Sequence, residues 1–530
     1  MERTNIFLGG FMAAGKTSTG RELGLRTGRP FIDVDELIEE REGMSVAEIF
    51  RQRGEPYFRR IEAATILELC ELEHMVIAMG GGALVNSRVK ERILERGRLV
   101  ILDVLPETVI ERAQKEKGKR PLMDPRNIRE LMEKRRGAYE GGDLKIGTDD
   151  KSVAMVAREI IRCFGLSPKD GGNVKERIVG GHVFVGSGNL GEKLEETRQE
   201  FPRPPFVVSD SLVGPLYRDR LGETRGFFLL PRGEEAKSLF WVEKLYSAFA
   251  EAEVDRGDVI VALGGGCVGD AAGFAASTWM RGVPVIQCPT TLLAQVDSAI
   301  GGKVGVNLRE GKNLAGAFHQ PLAVISDVQC LLTLPREHYR QGLAEAVKYG
   351  LGEDPDLFAW LERNVKALLG RDERVLAEMV SRCAAIKTGI VERDEKETGN
   401  VRERLNLGHT VGHGLEAASE YSGWNHGDAV AVGMVVASHL SCIAGLCGED
   451  TVKRLMELLT SLGFSLVPDR TWQEILPYLA RDKKFRGGRF RLVLPEATGR
   501  AAVREDVPIE GLRQAYEEVL SWSGVSTLPC

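Results

Sequence analysis

Gly10-Phe11-Met12-Ala13-Ala14-Gly15-Lys16-Thr17 decides the reading of the N-terminal part of this chain. The stretch fits G-x-x-x-x-G-K-[ST]. It follows a strand-like run from Asn5 to Leu8 and opens a helical pattern, the context that the motif requires. A glycine loop turns backbone N–H groups inward around phosphate oxygens, and the helix N-terminus adds its positive end. Lys16 is expected to reach the β- and γ-phosphates, and the Thr17 hydroxyl to ligate Mg²⁺, with Ser18 beside it.

Outward from this loop, strand-like runs alternate with charged amphipathic segments. Ile6–Leu8, Phe31–Val34, Met75–Met79 and Leu99–Val104 read as strands, and about 151–164 as a last helix. That alternation predicts βαβ units and a parallel sheet over residues 1–165. Residues 166–176 carry Pro, Gly and charge without periodicity and read as a linker. A second α/β pattern runs over 177–334, with strands at Val183–Val185, Phe206–Val208, Phe227–Leu230, Val259–Leu263, Val283–Gln287 and Ala323–Ser326. Over 335–530 helical periodicity dominates, with a late strand at Phe490–Leu494. The expected fold class is therefore multidomain α/β: a P-loop domain, a Rossmann-like domain and a mainly helical domain.

Composition agrees with this. The 530 residues are 43% hydrophobic and 28% charged, ordinary for globular domains. At roughly 150 residues per domain, two to four domains are expected. A net charge of −6 argues against nucleic acid as a partner but permits local basic pockets for small anions. Nine cysteines without a C-x-x-C pair read as reduced thiols, and a cytoplasmic protein without a signal peptide is expected. The apolar run from Ala429 to Cys447 is interrupted by His439 and serines, so a buried helix is expected there and no membrane partner.

In the first part, Phe31-Ile32-Asp33-Val34-Asp35 ends a strand with two carboxylates, at the edge where open α/β sheets bind ligands. One suits Mg²⁺ through water, the other an acceptor hydroxyl. Phe58-Arg59-Arg60-Ile61-Glu62 and the triple glycine Gly80–Gly82 follow, and the basic segment from Arg112 to Arg120 suits a lid over phosphates. In this order and spacing, G-F-M-A-A-G-K-T, F-I-D-V-D, F-R-R-I-E, I-A-M-G-G-G-A and K-R-P-L resemble shikimate kinase over about residues 1–165. The resemblance implies Mg-ATP as co-substrate and phosphorylation of shikimate to shikimate 3-phosphate. It implies ATP and Mg²⁺ contacts from Gly10, Ala13, Ala14, Gly15, Lys16, Thr17, Ser18, Asp33 and Arg120. It implies shikimate contacts from Asp35, Arg59, Gly81, Gly82 and Arg135, with Lys16, Asp35 and Arg120 catalytic. Ala13-Ala14 stands where the family usually has a second glycine, a mild departure.

In the second part, the strand ending at Leu263 runs into Gly264-Gly265-Gly266-Cys267-Val268-Gly269-Asp270, a G-x-G-x-x-G loop before a helix. No acid lies between Asp270 and Asp297, so the ribose of a dinucleotide would need one from elsewhere, with Glu234 and Asp210 as candidates. His409 and His413 stand at i, i+4 on one helix face, His426 follows, and Glu345 and Lys348 stand one turn apart upstream. Two histidines, a glutamate and an open position suit catalytic Zn²⁺, and spacing alone makes both His409 and His413 ligands. His74, His182, His319, His338 and His439 read as structural. Many cations beside glycines suggest a phosphorylated, carboxylated substrate.

The motifs G-G-G-C-V-G-D, P-T-T-L-L-A-Q-V-D-S, G-G-K-V-G-V-N, G-K-N-L-A-G-A-F, A-E-A-V-K-Y-G and L-N-L-G-H-T-V-G-H are similar to those of 3-dehydroquinate synthase, over about residues 177–530. The resemblance implies NAD and one divalent cation, Zn or Co. It also implies cyclisation of 3-deoxy-D-arabino-heptulosonate 7-phosphate to 3-dehydroquinate: one hydride is withdrawn and later returned, and phosphate is lost between by β-elimination. By position it implies Glu345, His409 and His426 as metal ligands, and His413 as a substrate contact instead of a ligand. It implies NAD contacts from Asp210, Glu234, Lys237, Gly264, Gly265, Gly266, Gly269, Asp270, Thr290, Thr291 and Lys312. It implies substrate contacts from Arg281, Asp297, Lys303, Asn313, Lys348, Lys387, Arg402, Asn406, His413 and Lys484, with Arg281 and His413 near the phosphate, and with Lys348 and His413 catalytic. Either Lys483 or Lys484 is expected to reach that phosphate.

The expectation is a bifunctional enzyme with two separate sites, whose two reactions belong to one aromatic-precursor pathway without being consecutive. Two rivals stand beside it: a sedoheptulose 7-phosphate cyclase fused to a cyclitol kinase, and a synthase carrying a non-catalytic nucleotide-binding module. A homodimer through the synthase part is expected.

Overall fold

The computed structural model describes residues 3–115, 128–166, 176–399, 401–419, 423–479, 485–486 and 489–522. The chain divides into two compact units. The first comprises Met1–Gly172 with Gly214–Asp219 and Leu332–Pro335, and the second comprises the rest.

In the first unit, β1 (Asn5–Gly10), β2 (Phe31–Asp33), β3 (Val76–Ala78), β4 (Gly97–Asp103) and β5 (Leu144–Gly147) form a sheet in the order β2-β3-β1-β4-β5. All four pairings are parallel. Every residue of the central β1 is buried, which is why its sequence is apolar or small from Ile6 onward instead of alternating, while the Asn5 side chain is satisfied by the Leu72 carbonyl and the Met75 N–H. Gly10 must be glycine: its φ is +137° and a Cβ would meet the Leu102 carbonyl oxygen at 2.3 Å. Helix α1 (Lys16–Thr27) starts from this loop.

The strand expected to reach Val34 stops at Asp33. The Asp33 carboxylate accepts the backbone N–H groups of Asp35 (2.9 Å) and Glu36 (3.4 Å), capping α2 (Val34–Glu42). A good N-cap outweighs the strand preference of Val34, whose side chain still reaches the core from the first helical turn.

The second unit holds a seven-stranded sheet built from β6 (Arg177–Val179), β7 (Val183–Gly186), β8 (Phe206–Asp210), β9 (Gly226–Leu230), β10 (Ile260–Gly264), β11 (Val285–Pro289) and β14 (Ala323–Asp327). The order is β6-β7-β14-β11-β10-β8-β9, and only the β6–β7 edge pair is antiparallel. Between β11 and β14, the chain makes an antiparallel hairpin, β12 (Lys303–Leu308) with β13 (Gly311–Phe318). The glycine loop leads from β10 into helix α3 (Gly266–Thr278), and the hairpin packs on it at Gly273, where a Cβ would meet Val304 at 2.4 Å.

The helical half contains α4 (Arg336–Gly352), α5 (Glu373–Arg393), α6 (His409–Ala418) and α7 (His426–Ile443), and ends with a sheet of β15 (Phe485–Arg486), β16 (Arg489–Ala497) and β17 (Arg500–Pro508). Helix α7 is long and apolar enough to cross a membrane, yet 78% of it is buried. Two glycines on α7 set its place. A Cβ at Gly427 would meet Gln341 Cα of α4 at 2.3 Å, and a Cβ at Gly433 would meet the Gly408 carbonyl oxygen at 1.9 Å. Without side chains at these points, α7 lies directly against α4 and the chain entering α6.

Two candidate active sites

The phosphate loop is closed on itself. Lys16 Nζ donates to the carbonyl oxygens of Gly10 (3.0 Å) and Phe11 (2.9 Å), and Arg112 donates to the Ala13 carbonyl (2.9 Å). Ala13 holds φ +60°, a left-handed conformation that costs an alanine about 1 kcal/mol. The Thr17 hydroxyl donates to Asp33 Oδ2 at 2.6 Å. A hydroxyl and a carboxylate already paired at the start of α1 are a donor set that fits Mg²⁺. Ser18 points outward from the first turn of α1.

Next to the loop lies a cleft of about 560 Å³, lined by Glu55, Arg59, Glu62, Gly82, Lys134 and Arg135 among others. Arg59 donates to Glu62 Oε2 at 2.7 Å, and Arg135 to the Gly81 carbonyl at 3.2 Å. Gly82 leaves room for the guanidinium, since a Cβ there would meet Arg59 Nη1 at 2.5 Å. Asp35 Oδ1 is buried with no hydrogen-bond partner. Burial, then the neighbouring carboxylates Asp33 and Glu62, raise its pKa to about 7. The structure thus gives the two acids of F-I-D-V-D different tasks: Asp33 caps a helix and faces Thr17, while Asp35 is held as a base-range carboxyl. Glu62 and Tyr139, whose hydroxyl donates to the Gly81 carbonyl, were not singled out from sequence. Glu62 is 2% exposed; its place four residues after Phe58 and four before Ile66 puts it on the buried face of its helix, a signal masked by its charge. Arg120 lies outside the described residues.

In the second unit, the glycine loop meets the N-terminus of α3. Lys237 Nζ donates to Asp270 Oδ2 (2.6 Å) and Asn313 Oδ1 (2.5 Å), while Asn307 Nδ2 donates to Glu234 Oε2 (2.6 Å). Asn307 and Asn313 both come from the β12–β13 hairpin, which the sequence did not reveal as a hairpin. Thr290 and Thr291 follow β11 beside this loop, and a Cβ at Gly265 would meet Thr291 Cγ2 at 3.0 Å. A narrow cavity is lined by Gly264, Gly265, Gly266, Gly269, Asp270 and Lys303. These bare glycine backbones at a helix N-terminus fit a pyrophosphate, and Glu234 at the rim fits a ribose. Asp210 is only 9% exposed, and its Oδ1 accepts the N–H groups of Leu212 (2.9 Å) and Val213 (2.8 Å).

Glu345, His409 and His426 each offer a donor atom, all within 4.8 Å of one another. Glu345 comes from the middle of α4, and the histidines are the first residues of α6 and α7. Glu345 Oε1 lies 3.3 Å from His426 Nε2 and 3.7 Å from His409 Nε2, and its other oxygen pairs with Lys348. Glu345 is 0% exposed, yet neither of its oxygens has a well-formed hydrogen bond. Burial drives His409 well below its usual pKa, so its ring is neutral and able to ligate. Burial disfavours charge on His426 as well, but the hydrogen-bonding carboxylates Glu345 and Glu416 raise its pKa to about 10. A buried carboxylate short of donors beside two imidazoles fits a divalent cation. His413 is exposed one turn along α6, and the spacing-based pairing of His409 with His413 as ligands gives way to Glu345 and His426. The i, i+4 rule puts two rings on one face but does not say which faces the incoming carboxylate. His413, Glu416 and His426 make a second set of donors within 4.8 Å.

Beside this cluster, Asp297 Oδ1 accepts from Lys387 (2.6 Å) and the Tyr349 hydroxyl (2.6 Å). Burial pushes its pKa up, but the Lys387 and Lys348 cations outweigh that and hold the carboxyl far below the usual range. Arg402 is 3% exposed and donates to the carbonyls of Glu395 (2.7 Å) and Gly301 (3.2 Å). Lys303 pairs with Glu397 at 2.5 Å. Asn406 ends the 3-10 turn Arg402–Asn406, two residues before the loop into α6, and Lys312 is exposed on β13. Arg281 is the residue expected near a substrate phosphate. It is exposed at the far end of α3, about 20 Å of helix from the glycine loop, because the chain must run the whole helix before reaching it. Lys483 and Lys484 lie outside the described residues.

Fold and geometry define an α/β enzyme of two parts: a P-loop nucleotide fold, and a dinucleotide-type fold joined to a helical half carrying a histidine–carboxylate cation cluster. The shikimate kinase family matches residues 12–164, and the N-terminal and C-terminal parts of 3-dehydroquinate synthase match 227–341 and 342–485. The 3-dehydroquinate synthase of Shewanella sp. (strain MR-4) is 41% identical over 340 residues, 63% of this chain and 94% of its own length. That of Halorhodospira halophila (strain DSM 244 / SL1) is 43% identical over 345 residues, 64% of this chain and 96% of its own. Among solved structures, a 2-epi-5-epi-valiolone synthase from Streptomyces hygroscopicus subsp. jinggangensis 5008, with NAD⁺ and Zn²⁺ bound, is 27% identical. It has a TM-score of 0.56 and covers 61% of this chain and 92% of its own. A 2-deoxy-scyllo-inosose synthase complexed with carbaglucose-6-phosphate, NAD⁺ and Co²⁺ is 29% identical, with a TM-score of 0.55, and covers 62% of this chain and 94% of its own. The chain belongs to the 3-dehydroquinate synthase family and carries a shikimate kinase domain ahead of it.

Proposed function

We infer that this chain is a bifunctional enzyme of the shikimate pathway. One reaction transfers the γ-phosphoryl group of ATP to shikimate. The other cyclises 3-deoxy-D-arabino-heptulosonate 7-phosphate to 3-dehydroquinate with loss of phosphate. The observation that carries the second is the convergence of Glu345, His409 and His426 beside Lys348. The first rests on Lys16 and Thr17 standing next to Asp35 and the arginine-lined cleft.

In the kinase site, Lys16 exchanges the Gly10 and Phe11 carbonyls for β- and γ-phosphate oxygens. Arg59 and Arg135 hold the shikimate carboxylate, and Gly81 and Gly82 let the ring approach the backbone. Asp35 takes the hydroxyl proton, a task suited to a carboxyl whose pKa is near neutrality. Arg120 covers the phosphates.

In the synthase site, NAD⁺ when bound supplies a hydride acceptor and the divalent cation a Lewis acid toward substrate hydroxyls. Glu345, His409 and His426 hold the cation. Lys237, Asp270, Thr290 and Thr291 orient the dinucleotide over α3, with Asp210, Glu234 and Lys312 at its edges. Lys348 donates a hydrogen bond to the hydroxyl that is oxidised. Asp297, Lys387, Arg402, Asn313 and Asn406 fix the substrate, and Lys303, His413 and Lys484 complete its anion contacts.

Identities of 41% and 43% to 3-dehydroquinate synthases, against 27% and 29% to the sister cyclases, support the heptulosonate phosphate as substrate. The reading includes domain limits at about 165, 177 and 335, a cytoplasmic location and a homodimer formed through the synthase part. Phosphate release from the heptulosonate phosphate, with and without NAD⁺ and a chelator, tests the synthase reading. Turnover of sedoheptulose 7-phosphate alone would overturn it. Shikimate-dependent ADP formation that survives Lys16→Ala would overturn the kinase reading.

A further inference from the structure

Glu416 stands on α6 one turn beyond His413, in none of the roles assigned above. Its side chain is 11% exposed, and Oε2 lies 3.4 Å from His426 Nδ1. On the opposite side of that ring, Nε2 faces Glu345 Oε1 at 3.3 Å. His409 is arranged in the same sense, with Nδ1 3.1 Å from the Leu407 carbonyl and Nε2 3.7 Å from Glu345 Oε1. Without a cation the two carboxylates favour the charged ring of His426; a cation bound at Nε2 would displace that proton, and an acceptor at Nδ1 would then keep the remaining N–H in place and aim the Nε2 lone pair into the site. The two rings differ in their acceptor: a neutral carbonyl for His409, a carboxylate for His426.

We propose that Glu416 is the positioning residue of the cation site: its carboxylate takes the Nδ1–H of His426 and holds Nε2 toward the point shared with Glu345 and His409. This rests on reading Glu345, His409 and His426 as the cation ligands. His413 and Lys312 also face Glu416, and His413, Glu416 and His426 form a rival donor set. That set uses the same ring. A histidine already giving Nε2 to one cation can give Nδ1 to a second only by losing its last ring proton, so a single ion per chain is expected.

The test is Co²⁺ titration of the full-length, metal-stripped chain, followed by visible absorption and by competition with a chelator. Wild type is expected to take one Co²⁺ per chain. Glu416→Ala should bind it about 10–100-fold more weakly, with a shifted spectrum, and Glu416→Gln, which keeps an acceptor, should fall between. NAD⁺ affinity of the metal-free chain should stay at the wild-type value, which a general disruption of the fold would not allow. Wild-type Co²⁺ affinity and spectrum in both variants would overturn the proposal while leaving the cation site standing. Two ions in wild type and one in Glu416→Ala would overturn it by making Glu416 a ligand. No Co²⁺ in wild type, or unchanged binding in Glu345→Gln, would instead overturn the reading of the site itself.

Discussion

Lys387 Nζ donates to Asp297 Oδ1 at 2.6 Å, and the two ends of this pair are unequally sealed, with the lysine side chain 7% exposed and the aspartate 26%. The consequences of removing either end are therefore unequal. Asp297→Asn leaves a dry ammonium without its counter-charge and is expected to cost about 3 kcal/mol. Lys387→Met leaves Asp297 with the Tyr349 hydroxyl and some water, and roughly 1 kcal/mol is expected. All six tryptophans lie between 241 and 522, so guanidinium unfolding followed by their fluorescence reads the second unit selectively. Equal losses for the two variants would contradict the asymmetry.

Asp35 makes the first unit less stable as pH rises. Its pKa is about 7 when folded, against about 3.9 for an unfolded aspartate, so the folded state holds the proton more tightly. Stability from this group is full below about pH 4, declines between there and 7, and is flat above. Asp35→Asn is expected to match wild type in thermal midpoint at pH 4 and to exceed it at pH 8. The kcat/KM of the kinase should rise with pH and level off near 7. A midpoint difference that does not change with pH would refute this account.

Ala13 and Ala14 should respond oppositely to glycine. Ala13 is left-handed at φ +60°, whereas Ala14 is 1% exposed in the core. Ala13→Gly relieves about 1 kcal/mol of strain but loses roughly 0.4–1 kcal/mol to the unfolded-state entropy of glycine, so the first unit is expected to be stabilised by no more than about 0.6 kcal/mol. Ala14→Gly should destabilise it by about 1 kcal/mol. Calorimetry of both variants, with ATP affinity measured alongside, checks the pair.

His426→Ala is expected to release the cation and abolish phosphate elimination while sparing shikimate phosphorylation. His413→Ala should keep the cation at wild-type stoichiometry and raise KM for the heptulosonate phosphate. Metal analysis after gel filtration separates the two, and metal retained in His426→Ala would contradict the ligand set.

The parallel sheet, the phosphate loop and the dinucleotide loop were legible because each is written in one contiguous stretch. Gly10–Thr17 and Gly264–Asp270 need only a preceding strand and a following helix to become anion cradles. Other features were out of reach for local reasons. Val34 continues an apolar run, and only the cap made by Asp33 turns it into helix. In the β12–β13 hairpin Val304, Val306 and Leu308 alternate with polar or glycine positions, but β13 is rich in glycine and polar residues and lacks that pattern, so no paired strand was evident.

By itself, then, the order of residues determined two anion-binding loops, two α/β folds and the kinds of side chain gathered around them. Tertiary structure alone decided which of those side chains meet. Glu345, His409 and His426 come together because Gly427 and Gly433 let one helix lie against two other segments, and periodicity within a helix carries no information about such a crossing. The same packing leaves Arg281 at the remote end of its helix and brings Glu416 to the back of the His426 ring. Which face a residue shares is local geometry; which partner covers that face depends on close contact between segments far apart in the chain.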